Sequence, residues 1–174
     1  MKKQEFTLQI FTENKPGIFH RVIGIITRRH INIESVTASN SSMDGIHKIV
    51  ILIKVDKEQV RKLIAQIDKQ VDVLKAFHYD NEDIVYQEIA LYKIPILQFY
   101  NGNSVENLIR EHNARILRIE KEYIVVEKTG YESETEALLE EFKSKGIYEF
   151  IRSGRVAIVK PMEQLNKYLE SIEK

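Results

Sequence analysis

Hydrophobic and polar residues alternate along the first segment of the chain. Phe6, Leu8 and Ile10 occupy every second position, which is typical of a half-buried β-strand. The turn Asn14-Lys15-Pro16-Gly17 follows, and the apolar residues beyond it recur at helical spacing. They predict an amphipathic helix that ends near Arg28–His30, with an apolar side made of Ile18, Phe19, Val22, Ile23, Ile25 and Ile26.

The rest of the first 80 residues continues this pattern of strands and helices. Asp56 is a good helix N-cap, and apolar residues follow it at helical spacing up to Val71. The predicted strands around the two helices are Ile33–Ser39, Lys48–Val55 and Val73–Tyr79. The order strand, helix, strand, strand, helix, strand predicts a ferredoxin-like fold, in which two helices cover one face of an antiparallel sheet. The other face must be polar or covered by a partner.

The same order repeats after an acidic break at Asp80–Asp83. Ser104 is a candidate N-cap for the first helix of the repeat, and Lys121-Glu122 is the turn of a predicted hairpin. The predicted elements are the strand Gln87–Pro95, the hairpin strands Ala114–Glu120 and Tyr123–Lys128, the helix Glu134–Lys145, a final strand over Ile147–Ile151 and Arg155–Lys160, and a terminal helix over Met162–Lys174. The fold class is therefore α+β, with two tandem ferredoxin-like βαββαβ domains. The first covers residues 1–80, residues 81–86 form a linker, and the second covers residues 87–174.

The composition excludes several classes of function. Lys and Arg together number 26, as do Asp and Glu, so no net charge attracts nucleic acid or an anionic membrane. The chain has no cysteine, which excludes disulfides, thiolate catalysis and cysteine-based zinc sites. No apolar run reaches the roughly 18 to 20 residues of a membrane helix, and the first residues do not resemble a signal peptide. We expect a cytoplasmic protein.

Catalytic and metal-binding motifs are absent from the sequence. The five histidines show no metal-ligand spacing with Asp or Glu. There is no phosphate-binding glycine loop and no Ser/His/Asp arrangement with supporting sequence. The sequence therefore predicts no catalytic residue, no metal site and no cofactor site in this chain.

The opening turn carries the chemistry of a binding site. A glycine just before a helix leaves the first backbone N–H groups of that helix open to a carboxylate or phosphate. Asn14 and Asn32 both donate and accept hydrogen bonds, so the turn predicts a small anionic or zwitterionic ligand. In the alternative interpretation, Asn14 and Gly17 only shape the turn and Asn32 only begins a strand. Arg21 is then a surface residue that pairs with Glu34 or a neighbour.

The sequence resembles the small, regulatory subunit of acetolactate synthase, also called acetohydroxyacid synthase. Its opening ENKPGIFHRVIGIITRRHINIESV is similar to the family form E-N-x-x-G-x-L-x-R-V-x-G-L-F-x-x-R-x-x-N-I-E-S-L. DVLKA at 72–76, QEIALYKI at 87–94 and IRSGRVAIVK at 151–160 resemble three further family motifs. Phe19 stands where the family often has Leu, and residues 95–113 do not align with the family pattern.

This resemblance implies an N-terminal ACT domain that binds a branched-chain amino acid, usually valine, at the interface of an ACT homodimer. It places the effector site on Asn14, Gly17, Ile18 and Asn32. The effector carboxylate would meet the backbone N–H groups at Gly17–Ile18, and its ammonium would meet Asn14 and Asn32, in part across the dimer.

The resemblance also implies a partner, the large catalytic subunit of acetolactate synthase. That subunit carries thiamine diphosphate, Mg²⁺ and FAD, whereas the small subunit is not an enzyme by itself and carries no cofactor. The small subunit stimulates its partner and confers feedback inhibition on it in branched-chain amino-acid biosynthesis.

Two other functions remain open from the sequence. One is an ACT-domain sensor or regulator that acts without a synthase partner, although no DNA-binding motif or basic patch is present. The other is an acylphosphatase-like hydrolase, in which an arginine and an asparagine activate water on a phosphoryl group. Arg21 is predicted inside the helix and not in a phosphate-binding turn, which favours the hydrolase least.

Overall fold

A computed structural model describes residues 3–100 and 104–161 of the chain. These residues divide into two compact units, the first made of residues 3–86 and 155–161 and the second of residues 87–154. The predicted terminal helix at 162–174 lies outside the described residues.

The first unit has the predicted ferredoxin-like order. Its elements are β1 (Gln4–Glu13), α1 (Ile18–Arg28), β2 (Ile33–Asn40), β3 (Ile46–Val55), α2 (Lys57–Ile67) and β4 (Val73–Tyr79). The strands form an antiparallel sheet in the order β2-β3-β1-β4. The expected fold class is confirmed in this unit.

The helices of the first unit cover one face of the sheet because their apolar residues recur at helical spacing. Val22, Ile25 and Ile26 of α1 pack with Leu63 and Ile67 of α2 in one buried cluster. The exception on the apolar side of α1 is Phe19, whose surface is 42% exposed.

The predicted N-cap of α2 is confirmed by a capping box. The Asp56 carboxylate accepts a hydrogen bond from Gln59 N at 2.8 Å, and the Gln59 side chain accepts one from Asp56 N at 3.3 Å. Each bond satisfies a backbone N–H group at the start of the helix that has no partner inside it.

The other face of this sheet is covered by the end of the described chain. Gln9 donates to the Ala157 carbonyl at 3.3 Å, and Lys48 donates to the same oxygen at 2.8 Å. Arg155, only 1% exposed, donates to Thr7 Oγ1 at 3.1 Å. The expectation that β1 is half-buried is therefore wrong, because Thr7 and Gln9 on its second face are buried as well.

The second unit repeats the arrangement with one additional helix. Its elements are β5 (Ile84–Pro95, which begins in the first unit), α3 (Ile96–Tyr100), α4 (Ser104–Glu111), β6 (Arg115–Ile119), β7 (Tyr123–Gly130), α5 (Glu132–Lys143) and β8 (Glu149–Arg152). The sheet order is β6-β7-β5-β8. The helix α3 was not predicted, because five residues are too few to show a periodic pattern.

The core of the second unit is mainly aliphatic and contains one buried pair of aromatic rings, Tyr92 and Phe142. The rings of Tyr92 and Phe142 meet edge to face with centroids 5.3 Å apart, and the Tyr92 hydroxyl donates to the Thr135 carbonyl at 2.6 Å. Burial raises the pKa of Tyr92 well above its ordinary value, so the phenol stays protonated as a donor.

The division of the chain at its C-terminal end differs from the sequence interpretation. The predicted final strand appears as two strands, β8 in the second unit and β9 (Val156–Val159) in the first. The strand β9 pairs with β5, and Ala157 lies in a small buried cluster with Val50 and Ile84. The residues after Gly154 thus return to the first unit, where they cover apolar side chains of its sheet.

Candidate functional site

The turn between β1 and α1 ends in a glycine, at which the helix begins. Gly17 is the N-cap of α1 and adopts the left-handed conformation, with φ 85° and ψ −13°. A glycine offers no side chain to cap the helix, and the first turn of α1 carries no acidic residue. A Cβ added to Gly17 would meet no atom within 4 Å, so the space before the helix is open in the protomer. This geometry suits an anionic group approaching the backbone.

Three backbone N–H groups of this turn, those of Asn14, Lys15 and Ile18, donate hydrogen bonds, and one of these bonds is longer than the other two. Asn14 N donates to the Gly45 carbonyl and Lys15 N to the Glu13 carbonyl, each at 3.0 Å. Ile18 N reaches the Lys15 carbonyl only at 3.4 Å, beyond the usual length of an N–H···O bond. The Ile18 N–H is therefore the most weakly engaged of these three donors.

Ile18 differs from the other predicted site residues because its side chain is 5% exposed and belongs to the core. Its backbone N–H faces the turn, whereas its side chain anchors α1 to the sheet. Any role of Ile18 in ligand binding therefore falls to its N–H group.

A cluster of charged side chains lies beside the turn, and sequence reasoning missed its centre. Arg21 Nη2 is 2.6 Å from Asp72 Oδ2, and Lys15 Nζ is 2.9 Å from Asp72 Oδ1. Lys15 is also 2.6 Å from Glu13. The expectation that Arg21 pairs with a neighbour is thus met by Asp72 and not by Glu34.

Hydrogen bonds from Lys15 and then Arg21 hold the pKa of the Asp72 carboxyl below its usual range. The bonds of Lys15 to Glu13 and Asp72 raise the pKa of the Lys15 ammonium. Asp72 and Lys15 are therefore both charged at neutral pH. The sequence signal for Asp72 was its place in the DVLKA motif, which carried no information about its partners.

Asn32 lies just before β2, and its side chain donates to Glu34 Oε1 at 3.0 Å. Within one protomer it is far from Asn14. Ile33 pairs with Ile53 of β3, whereas Glu13 pairs with Ile46 at the other end of the same strand. At about 3.3 Å per strand residue, these two ends are about 23 Å apart. Gly17 and Ile18 lie on the turn with Asn14, but Asn32 does not join them in a single protomer.

Other kinds of site find no support in the described parts of the chain. Residues 3–100 and 104–161 contain no group of three or more His, Asp or Glu side chains placed to hold a metal ion. Across the same residues, no helix is both long and apolar enough to span a membrane.

Comparison with known proteins places this turn in a wider context. The acetolactate synthase small subunit of Bacillus subtilis is 34% identical over 152 residues, which cover 87% of this chain and 88% of the relative. The chain belongs to the acetolactate synthase small-subunit family. A probable acetolactate synthase small subunit of Archaeoglobus fulgidus is 31% identical, over 88% of this chain and 96% of that one.

Models of both domains of this family match the chain. Residues 8–75 match the AHAS small subunit-like ACT domain. This matched range includes the turn and both asparagines, Asn14 and Asn32. Residues 87–161 match the model of the small subunit of acetolactate synthase, and that match spans residues 95–113, which the motifs alone did not align.

The fold of the family is also the fold of this chain. The crystal structure of the acetolactate synthase small subunit from Thermotoga maritima superposes with a TM-score of 0.83 at 28% identity, and the match covers 92% of this chain and 99% of that one. The ACT and ferredoxin-like assignments are therefore confirmed.

Proposed function

We propose that this chain is the effector-binding subunit of an acetolactate synthase, and that its ACT domain binds a branched-chain amino acid, with valine the first candidate. It then confers feedback inhibition on a catalytic subunit and stimulates that subunit when the effector is absent. It acts in the cytoplasm as a non-catalytic chain, and thiamine diphosphate, Mg²⁺ and FAD belong to the catalytic partner.

The observation that carries this proposal is the open, glycine-capped start of α1 within residues that match the family's ACT domain. Backbone N–H groups at a helix N-terminus bind carboxylates without a charged side chain. The Asn14 side chain lies on the same turn and supplies an acceptor for the effector ammonium.

The positions of the two asparagines support a homodimer. Because Asn14 and Asn32 lie at opposite ends of the first sheet, a site that uses both needs two protomers. β2 is an edge strand of this sheet, and Val36 on it is 37% exposed. If two β2 edges pair antiparallel about a two-fold axis, Asn14 of one protomer meets Asn32 of the other.

The decisive experiment combines a titration with a partner assay. We expect valine, leucine or isoleucine to give a saturable heat in a calorimetric titration of the folded chain. The same effector should inhibit the catalytic subunit once the two proteins form a complex. The absence of binding by all three amino acids would reject the proposal.

The variant Asn14→Ala tests the site itself. It should leave the thermal midpoint nearly unchanged and raise the effector concentration needed for inhibition, because the ammonium loses an acceptor. Asn107→Ala, at an exposed position of α4, is the matched control and should behave like the wild type. Unchanged inhibition in Asn14→Ala would remove this residue from the site.

The same assays separate the alternative functions. A stand-alone ACT-domain sensor would bind the effector but would not retain the catalytic subunit in a pull-down. An acylphosphatase-like hydrolase has less support, because Asp72 engages the Arg21 guanidinium that would have to bind phosphate. Hydrolysis of an acyl phosphate by the purified chain would reverse that judgement.

A further inference from the structure

The connection between α2 and β4 contributes one side chain, Asp72, to the turn that opens α1. Its two carboxylate oxygens serve two different elements. One accepts from Lys15 within the turn at 2.9 Å, and the other accepts from Arg21 in the first turns of α1 at 2.6 Å. A single carboxylate therefore joins the turn and the helix that follows it.

The backbone of Asp72 is engaged in the same contact. Its carbonyl accepts a hydrogen bond from Glu13 N at 3.0 Å, at the point where β1 ends and the turn begins. Asp72 adopts the left-handed conformation, with φ 70°, which non-glycine residues other than Asn and Asp seldom adopt. That conformation presents the carbonyl and the carboxylate to the turn together.

The exposure of these groups distinguishes the cluster from an ordinary surface ion pair. The Asp72 side chain is only 14% exposed, although its partners Lys15 and Arg21 are about half exposed. An isolated exposed pair contributes little to stability. The Asp72 carboxylate, by contrast, is shielded and accepts hydrogen bonds from two cations. Because each hydrogen bond has a preferred geometry, the carboxylate restricts the positions of both cations.

This restriction matters because the start of α1 has no side-chain cap of its own. The orientation of the N–H groups at Gly17 and Ile18 depends on how the chain on either side is held. Arg21 N bonds the Gly17 carbonyl, so the residue that Asp72 fixes is also one hydrogen bond from the glycine.

We propose that Asp72 is a positioning residue for the effector site, which fixes the turn through Lys15 and Arg21 without itself touching the effector. The inference rests on the proposed function, since it concerns the same amino-acid site. It predicts that the affinity for the effector depends on a residue more than 50 positions along the chain from Gly17 and outside the glycine turn.

The first test is the variant Asp72→Asn. Asparagine has the same size and tolerates the left-handed backbone, but it carries no charge to hold the two cations. We expect the Kd for valine, measured by calorimetry, to rise about fivefold to tenfold, while the thermal midpoint changes little. Glu58→Gln is the matched control, because it removes the surface ion pair with Lys62 on α2 and should leave the Kd unchanged.

A double-mutant cycle distinguishes positioning from a general loss of stability. We expect Arg21→Met to weaken binding in the same direction, and the double variant with Asp72→Asn to bind no worse than the weaker single variant. Amide exchange at Gly17–Phe19 should accelerate in Asp72→Asn, while the amides of α2 keep their protection.

The outcomes separate the two proposals. If wild-type protein binds none of the three branched-chain amino acids, the proposed function fails whatever Asp72 does. If the wild type binds and Asp72→Asn binds equally well, the positioning role is rejected and the function stands. Fully additive losses in the cycle would also reject it, since they would show that Arg21 and Asp72 act independently.

Discussion

Among single residues, Gly17 has the most distinctive conformation in the candidate site. Its φ of 85° is readily adopted only by glycine, and open space lies in front of it. Gly17 thus combines a sharp turn with exposed backbone N–H groups. A side chain at this position would obstruct the approach of a ligand to those groups.

Replacement of this glycine by alanine separates strain from binding. Gly17→Ala should lower the free energy of unfolding by about 1–2 kcal/mol, because the left-handed conformation is strained for an L-residue. No clash adds to this cost, since the new Cβ has no neighbour within 4 Å. Urea denaturation measures the loss, and calorimetry should show weaker valine binding.

Gly146→Ala is the control for this variant. Gly146 has φ 81° and equally open surroundings, but it lies in the second unit. It should lose similar stability and keep the wild-type Kd for valine. An equal change in Kd for both variants would mean that strain, and not the turn, governs binding.

The stability of the first unit is expected to depend on pH through His78. This residue lies on β4 with its ring 5.8 Å from that of Phe6. Burial lowers its pKa from the ordinary value of 6.5, Asp80 opposes that shift and Arg61 adds to it. The native protein therefore holds His78 neutral at a pH where the unfolded chain already binds a proton.

The sign of the pH effect follows from this difference. The stability associated with neutral His78 is fully present above pH 6.5, and it decreases as the pH falls toward the lower native pKa. Between pH 7 and pH 5 the urea midpoint of His78→Phe should therefore fall less than that of the wild type. Parallel pH profiles for the two proteins would show that His78 contributes nothing to this dependence.

At the scale of elements, β2 is one of the two edge strands of the first sheet, and it is the edge whose pairing would bring Asn14 of one protomer to Asn32 of another. Its residues alternate between partly buried and exposed up to Ala38, and its neighbour on the sheet is β3 alone. A strand edge with free backbone groups pairs readily with another strand. A second copy of β2 would satisfy this edge and would complete the proposed effector site.

A charge on this edge should disrupt the proposed dimer. Val36→Lys places an ammonium on the exposed side of β2, and two such charges would meet across a two-fold axis. Sedimentation velocity should show a shift toward monomer, with weaker effector binding, while the fold persists. Val85→Lys, at an exposed position of β5, should remain dimeric, and an unchanged assembly for Val36→Lys would exclude β2 from the interface.

On the scale of the whole molecule, the chain leaves the first unit after Tyr86 and re-enters it at Arg155. Arg155 is held within that unit by Thr7 and Asn81, and its guanidinium lies 3.7 Å from the Tyr86 ring centroid. The second unit is therefore inserted in the chain between two segments of the first, and not appended after it.

The proposed regulation of a catalytic subunit imposes a quantitative condition on the two binding affinities. If valine changes the affinity of this chain for the catalytic subunit, the catalytic subunit must change the affinity for valine by the same factor. Typical couplings are about 5-fold to 150-fold. Titrations of valine with and without the catalytic subunit, and of that subunit with and without valine, should give equal ratios. Unequal ratios would show that the binding scheme lacks a component.

The local elements were accessible from the sequence because their signals lie within a few residues. Strand β4 was predicted over its full length, and the cap of α2 was recognised from Asp56 alone. Motif spacing identified the family, and the comparisons confirmed it. The short helix α3 and the change of unit at Arg155 were missed, because neither leaves a periodic pattern.

The sequence by itself determined the two ferredoxin-like folds, the family and the turn at Gly17, since hydrophobic period and turn chemistry are local properties. Only the tertiary structure decided that Asn14 and Asn32 lie at opposite ends of one sheet. It also decided that Arg21 bonds Asp72, 51 residues away, and that Arg155 bonds Thr7, 148 residues away. Such partners depend on how packed strands and helices bring distant segments together, and no local pattern encodes that distance.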